Sequence, residues 1–181
     1  MPFEVERRAL LDKEEFDRVK AYLEKHGEYV GKRRFTSYLF REPYFLRIRV
    51  EGKRVTMTEK AGDYEDVGRE EKNTEIGYEK IKEYVKELQG KGFQRCARVE
   101  TERESYRFNG VIVELNKIDA LGLIVEVEVT TQDEKEKDSL DVRVRDTLKL
   151  LGLKELSASR YKKMMQKVYD NAVDVSETNF H

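Results

Sequence analysis

The sequence predicts an α+β fold: an antiparallel β-barrel with a polar, charged lumen and amphipathic helices packed on its outside. Seven or eight strand-like segments each carry one apolar face and one charged face. Three or four amphipathic helices separate them, and each helix needs an apolar surface to cover. The apolar strand faces are the only large supply of such surface. If helices cover them from outside, the charged faces point at one another within a closed sheet.

Length and composition limit the class of protein. The 181 residues predict a single domain over 1–170 and a loose tail over 171–181. The 36 basic and 37 acidic residues nearly cancel, which gives no basic field for a nucleic acid. A single cysteine argues against a disulfide framework, and no apolar run reaches membrane-spanning length. We therefore expect a cytoplasmic protein, monomer or homodimer, without nucleic-acid or membrane partners.

The first half of the chain begins with a strand in which Glu4, Glu6 and Arg8 share one face. A helix follows, because Asp12 and Glu15 form a capping-box pattern and apolar residues recur at helical spacing until Gly27. Alternating residues then predict strands, and apolar residues at helical spacing predict a second helix that ends near Gly90. The predicted strands are 35–40, 45–50, 54–60 and 69–76.

The second half predicts a long hairpin and two more helices. The strands 93–108 and 111–116 flank Asn109-Gly110, the strongest hairpin signal in the chain, since a type I′ turn needs residues that tolerate positive φ. The strand 123–129 repeats the opening pattern, with apolar odd positions and Glu126 and Glu128 on the other face. One helix carries a leucine and valine stripe that ends at Gly152, and the last begins at Ser157.

The charges on the polar faces are grouped by sign. Glu4 and Glu6, Arg47 and Arg49, and Glu126 and Glu128 form like-charged pairs on single strands. A solvated face is the ordinary explanation for charged strand positions, and the pattern alone leaves it open. A closed interior would instead need compensation by a ligand. A phosphate chain with Mg²⁺ or Mn²⁺ satisfies both signs, since carboxylates bind the metal and basic residues bind phosphate.

Over roughly residues 3 to 165, the chain resembles the CYTH domain of the triphosphate tunnel metalloenzymes, which include class IV adenylate cyclases and thiamine triphosphatases. Its opening signature is ExExK, and Glu4, Glu6 and Arg8 stand at those positions. Later parts of the family pattern follow in order. These are Arg47 with Arg49, Lys60 with Gly62, Arg103 with Tyr106 and Arg107, Leu115-Asn116, Leu121-Gly122, Glu126-Val127-Glu128 and Arg160-Tyr161.

The resemblance implies an eight-stranded antiparallel tunnel, open at both ends, in which a triphosphate reacts. The implied metal ligands are Glu4, Glu6, Glu114, Asn116, Glu126 and Glu128, with Glu6, Glu126 and Glu128 as the main set. The candidate substrate-binding residues are Arg8, Arg47, Arg49, Lys60, Arg69 and Arg103. Of these, Arg8, Lys60 and Arg103 are the candidate catalytic residues, because they would offset the charge that develops during phosphoryl transfer.

Three positions depart from the family pattern. Arg8 replaces a lysine and stays protonated, so it can bind phosphate but cannot act as a base. Asn116 replaces an aspartate, and Thr101 stands where a lysine often faces the tunnel. We interpret Tyr161, Met164 and Met165 as residues of helix packing.

Three functions remain open from the sequence. The first is a metal-dependent hydrolase of a nucleoside, organic or inorganic triphosphate, such as ATP, thiamine triphosphate or tripolyphosphate. The second is a class IV adenylate cyclase that makes cyclic AMP and pyrophosphate. The third is a non-catalytic triphosphate- or polyphosphate-binding module.

Overall fold

Eight antiparallel strands close into a barrel in the computed structural model, which describes residues 2–62 and 66–180. Their order around the barrel is β2-β3-β4-β5-β1-β8-β7-β6, and β6 pairs back onto β2. The expected fold is therefore confirmed. The strands are β1 Phe3–Leu11, β2 Glu28–Phe40, β3 Leu46–Glu51, β4 Arg54–Lys60, β5 Arg69–Gly77, β6 Arg95–Phe108, β7 Val111–Ile118 and β8 Gly122–Thr131.

The helices lie outside the strands, as predicted. They are α1 Lys13–His26, α2 Ile81–Gly90, α3 Lys137–Leu150 and α4 Ala158–Asp170. Asp12 caps α1 in a reciprocal capping box with Glu15. The apolar stripes of α1 and α3 pack on outward residues of β1, β7 and β8, whereas α2 packs on those of β3, β4 and β5. No helix among the described residues is long and apolar enough to span a membrane.

Helix α4 differs from the other three because two of its residues reach the lumen. Its residues Tyr161 and Met165 line the central cavity together with Leu39 and Val99. Leu39, Val99 and Met165 also belong to one buried apolar cluster. These apolar contacts place α4 against cavity-lining residues of β2 and β6.

The last residues pack against the barrel. A short strand, β9 (Val173–Asp174), pairs with Arg95 and Cys96 of β6. Val175 is 1% exposed, and the hydroxyl of Tyr38 donates to the carbonyl of Asn179 at 2.9 Å. The ring of Phe180 lies 4.4 Å from that of Tyr38. These contacts correct the prediction of a loose tail for residues 171–180; residue 181 lies outside the described part of the chain.

Turn chemistry and strand pairing fix the register of the barrel. Asn109 and Gly110 have φ of 53° and 73°, as a type I′ turn requires, and they join β6 to β7 as predicted. β2 begins seven residues earlier than predicted, at Glu28 instead of Phe35. The first half of β2 pairs with β6, but it consists mostly of polar residues, and its apolar and polar residues do not alternate. Backbone pairing and cross-strand ion pairs of Lys32 and Arg34 with β6 therefore hold that part of the strand.

Candidate functional site

The lumen holds a cavity of about 370 Å³ with a charged wall. All eight strands contribute a charged side chain to it, so the charged faces point inward and the solvated-face alternative is wrong. The acidic lining residues are Glu4, Glu6, Glu51, Glu71, Glu114, Glu126 and Glu128; the basic ones are Arg8, Arg33, Arg47, Arg49, Arg54, Lys60, Arg69 and Arg103.

Three carboxylates form a compact cluster in this wall. Glu4 and Glu6 come from β1 and Glu128 from β8, and one oxygen of each lies within 4.8 Å of the others. Glu6 and Glu128 are direct partners in the strand register. Burial and the neighbouring Glu6 raise the pKa of Glu4 to about 7, and burial with Glu114 and Glu4 raises the pKa of Glu128 well above its ordinary value. These oxygens suit a hard divalent cation. We call Glu4, Glu6 and Glu128 the carboxylate cluster.

Basic residues contact two members of the carboxylate cluster. The Nζ of Lys60 contacts Glu4 directly and lies 3.4 Å from Glu6 and 3.0 Å from Glu71. Arg8 lies 2.6 Å from Glu6, and Arg69 also contacts Glu6. Burial alone would raise the pKa of Glu6, but the positive charges of Arg8, Lys60 and Arg69 outweigh it and hold that pKa well below its ordinary value. Glu128 has no ion pair within residues 2–62 and 66–180.

Glu126 lies between two guanidinium groups. It accepts from Arg8 Nε at 2.8 Å and from Arg103 Nη2 at 2.9 Å. Arg103 also contacts Glu114, and its Nε donates to Asn116 Oδ1 at 2.7 Å. Asn116 is fully buried and donates to Glu126 at 3.2 Å. Among the six predicted metal ligands, the structure thus places Glu114, Asn116 and Glu126 around Arg103 and brings the other three together.

Arg47 and Arg49 on β3 form a group of two cations in the same cavity. Among the described residues neither guanidinium has a carboxylate partner, and neither buried Nε has a hydrogen-bond partner. Arg47 donates to Thr58 Oγ1 at 3.3 Å, and Arg49 lies 4.2 Å above the ring of Phe35. Burial, with repulsion from Arg47 and Arg103, lowers the pKa of Arg49 to about 9. Buried cations without counter-ions indicate an anion-binding site.

Sequence reasoning missed several lining residues. Glu71 forms an ion pair with Lys60; burial would raise the pKa of Glu71, but Lys60 lowers it to about 2. Its position on the same strand face as Arg69 is the signal that could have identified it. Tyr161 was predicted as packing, yet its ring lies 4.3 Å from the guanidinium carbon of Arg8. Other lining residues missed include Arg33, Phe35, Glu51 and Arg54, and Thr101 lines the cavity at the position noted for a lysine.

Solved structures from several organisms have a similar architecture. A conserved hypothetical protein from Pyrococcus furiosus is 28% identical, with a TM-score of 0.67, and the match covers 83% of this chain and 91% of that one. A protein from Pyrococcus horikoshii is 22% identical, with a TM-score of 0.74 and coverage of 91% and 98%. A proposed adenylyl cyclase from Hippeastrum, with dominant triphosphatase activity, is 16% identical, with a TM-score of 0.63 and coverage of 92% and 96%.

Sequence comparison with families agrees with the architecture. No curated protein matches this chain in sequence. The profile of the CYTH domain, however, matches residues 2–161, which includes the eight barrel strands and the start of α4. The chain therefore belongs to the CYTH domain family.

Proposed function

We propose that this protein is a divalent-metal-dependent phosphohydrolase that cleaves a triphosphate compound inside the barrel. The observation that carries the proposal is the pairing of two unsatisfied groups in one cavity. In the carboxylate cluster, Glu128 forms no ion pair among the described residues, and Arg47 and Arg49 have no carboxylate partner among them. A phosphate chain with a divalent cation compensates both groups at once.

The donor set fits Mg²⁺ or Mn²⁺. Glu4, Glu6 and Glu128 would hold the cation, since each offers a carboxylate oxygen to the same small region. When bound, the cation supplies positive charge that neutralises phosphate oxygens and lowers the barrier to nucleophilic attack. The raised pKa values of Glu4 and Glu128 agree with this assignment, because a nearby divalent charge would stabilise their ionised forms.

The basic residues bind the phosphates and stabilise the charge that develops on them. Arg47 and Arg49 are free to bind phosphate oxygens without first breaking an ion pair. Arg8 and Arg103 are held by Glu126, which orients both toward the lumen. Arg8 stays protonated, so its part is to donate hydrogen bonds and not to accept a proton.

The reaction is a displacement at the terminal phosphorus. Water attacks that phosphorus, the bond to the bridging oxygen breaks, and orthophosphate leaves together with the shortened phosphate compound. The proposal places this reaction in the cytoplasm, where the single buried Cys96 would remain reduced.

Product analysis tests the proposal and separates it from its alternatives. Purified protein is incubated with Mg²⁺ or Mn²⁺ and with ATP, GTP, thiamine triphosphate or tripolyphosphate, and the products are identified by ³¹P NMR and chromatography. We expect orthophosphate only when metal is present. Cyclic AMP with pyrophosphate would instead identify an adenylate cyclase, and tight binding without turnover would identify a binding module.

A further inference from the structure

Lys60 contacts Glu4 and Glu6 of the carboxylate cluster, whereas within this cluster Arg8 and Arg69 contact only Glu6. We propose that the Lys60 ammonium is the resident counter-ion of Glu4, that it leaves Glu4 and Glu6 when a divalent cation binds, and that it then binds the triphosphate. This inference rests on the proposed function, because it assumes that the carboxylate cluster binds metal. It assigns Lys60 two successive partners instead of a permanent role at the phosphates.

The contacts of Lys60 support the first half of the inference. Its Nζ contacts Glu4 and lies 3.4 Å from Glu6, which are two of the three members of the carboxylate cluster. The side chains of Lys60 and Glu6 are only 7% and 8% exposed, so little water is available to solvate either charge if the two separate. A divalent cation on the same oxygens would repel an ammonium at this distance. Metal and ammonium therefore compete for one position.

The neighbours of Lys60 indicate where the displaced ammonium goes. Lys60 and Thr58 share the inner face of β4, and Thr58 pairs with Arg47 on β3 and accepts from its guanidinium. The lysine thus lies on the path around the wall from the carboxylate cluster to Arg47. Its flexible four-carbon stem allows the ammonium to turn along this path, toward the proposed phosphate site. Metal binding would then increase the positive charge available to phosphate.

Two different consequences separate this inference from a simple phosphate-binding role. If Lys60 competes with metal, its removal increases the metal affinity of the phosphate-free protein. If Lys60 only binds phosphate, its removal leaves that affinity unchanged. Competition also makes metal and triphosphate binding mutually reinforcing, because each ligand favours the arrangement that the other needs.

The experiment measures binding of Mn²⁺ alone by isothermal titration calorimetry. The variants are Lys60→Met, which removes the charge, and Lys60→Arg, which keeps it. Lys32→Met is the matched control, because Lys32 is 44% exposed and pairs with Glu102 and Glu104, which do not line the lumen cavity. We expect Lys60→Met to bind Mn²⁺ at least about tenfold more tightly than the wild type. Lys60→Arg and Lys32→Met should stay within about threefold of it.

A second measurement uses the wild-type protein, in case Lys60→Met fails to fold. Acetic anhydride labels free amines, and mass spectrometry reports the labelled fraction of Lys60. Mg²⁺ should increase labelling of Lys60 several-fold, and Mg²⁺ with tripolyphosphate should reduce it again. The labelling of Lys32 should change little in either case.

The outcomes distinguish the inference from the proposed function. Tighter Mn²⁺ binding by Lys60→Met, or metal-dependent labelling of Lys60, supports the exchange. Equal or weaker Mn²⁺ binding by a folded Lys60→Met variant, with labelling that does not respond to Mg²⁺, overturns the exchange and leaves the metal site intact. If neither wild type nor variant binds Mn²⁺, the metal requirement of the proposed function is wrong as well.

Discussion

The guanidinium carbon of Arg8 on β1 lies 4.3 Å from the centre of the Tyr161 ring on α4. The same guanidinium contacts Glu6 and Glu126 at 2.6 and 2.8 Å, so one residue joins α4 to both groups of carboxylates. The backbone of Arg8 is held as well, because the amide of Leu156 donates to the carbonyl of Arg8 at 2.7 Å. Arg8 is therefore fixed from three sides.

Tyr161→Ala should lower kcat/KM for the triphosphate by about tenfold, because a stacked guanidinium in a partly desolvated site loses up to about 2 kcal/mol of interaction. Tyr161→Phe keeps the ring and should stay close to wild type. Steady-state kinetics on both variants checks the prediction. An equal loss in the two variants would show that the hydroxyl, and not the ring, is what matters.

Arg49→Met should raise KM strongly without lowering stability. The buried Arg49 guanidinium has no carboxylate partner among the described residues, so its removal relieves an uncompensated charge and should leave the free energy of unfolding unchanged or raise it by about 1 kcal/mol. Urea denaturation and substrate titration measure the two effects. Arg98→Met, which removes an exposed arginine paired with Glu100, is the matched control and should change neither.

Glu126 and Glu128 should respond differently to the same substitution. Glu126→Gln weakens contacts with Arg8 and Arg103 in a buried network, so we expect a loss of about 3 kcal/mol of stability and loss of metal-dependent activity. Glu128→Gln breaks no ion pair within the described residues and should preserve stability while it weakens Mn²⁺ binding. Denaturation and calorimetry on the two variants give the comparison. Metal-dependent turnover that persists unchanged in Glu126→Gln would contradict the role given to this residue.

The metal-free protein should lose stability as the pH rises from about 5 to about 8. Glu4 has a folded-state pKa of about 7, above its ordinary value of 4.5, so the folded protein holds this proton more tightly than the unfolded chain. Its contribution to the free energy of unfolding is therefore largest below pH 4.5. Roughly 2 kcal/mol of this contribution is lost as the pH rises through 7. The lowered pKa values of Glu6 and Glu71 affect only more acidic conditions.

Thermal unfolding in EDTA at pH 5.5 and pH 8 tests this direction. Mg²⁺ should restore more stability at pH 8 than at pH 5.5, because ionised carboxylates bind the cation. A metal-free protein that is more stable at pH 8 would show that Glu4 is not protonated in the way described.

The strand pattern predicted the barrel because its inward charges and outward apolar residues alternate on almost every strand. Hairpin and capping signals at Asn109-Gly110 and Asp12 also placed elements correctly, since they act locally. The first half of β2 escaped prediction because pairing with β6, and not an apolar face, holds it in place. The packing of the tail was not predicted because its few apolar residues are buried only by contact with Tyr38 and α2, which are distant in sequence.

Candidate residues were predictable as a set, but their partners were not. The sequence placed Glu126 beside Glu128 on one face, yet β8 lies between β1 and β7, and each residue meets different neighbours there. Glu126 therefore meets Arg8 and Arg103, whereas Glu128 meets Glu4 and Glu6. Such differences depend on register across strands that are distant in sequence, and no periodicity within one strand reveals them.

A crystal structure with Mn²⁺ and a non-hydrolysable triphosphate analogue tests the central claim most directly. We predict an anomalous peak that locates Mn²⁺ within bonding distance of oxygens of Glu4, Glu6 and Glu128. Phosphate oxygens of the analogue should accept hydrogen bonds from Arg47 and Arg49. Metal at another position, or phosphates bound outside the barrel, would contradict the account of this lumen as the site of triphosphate chemistry.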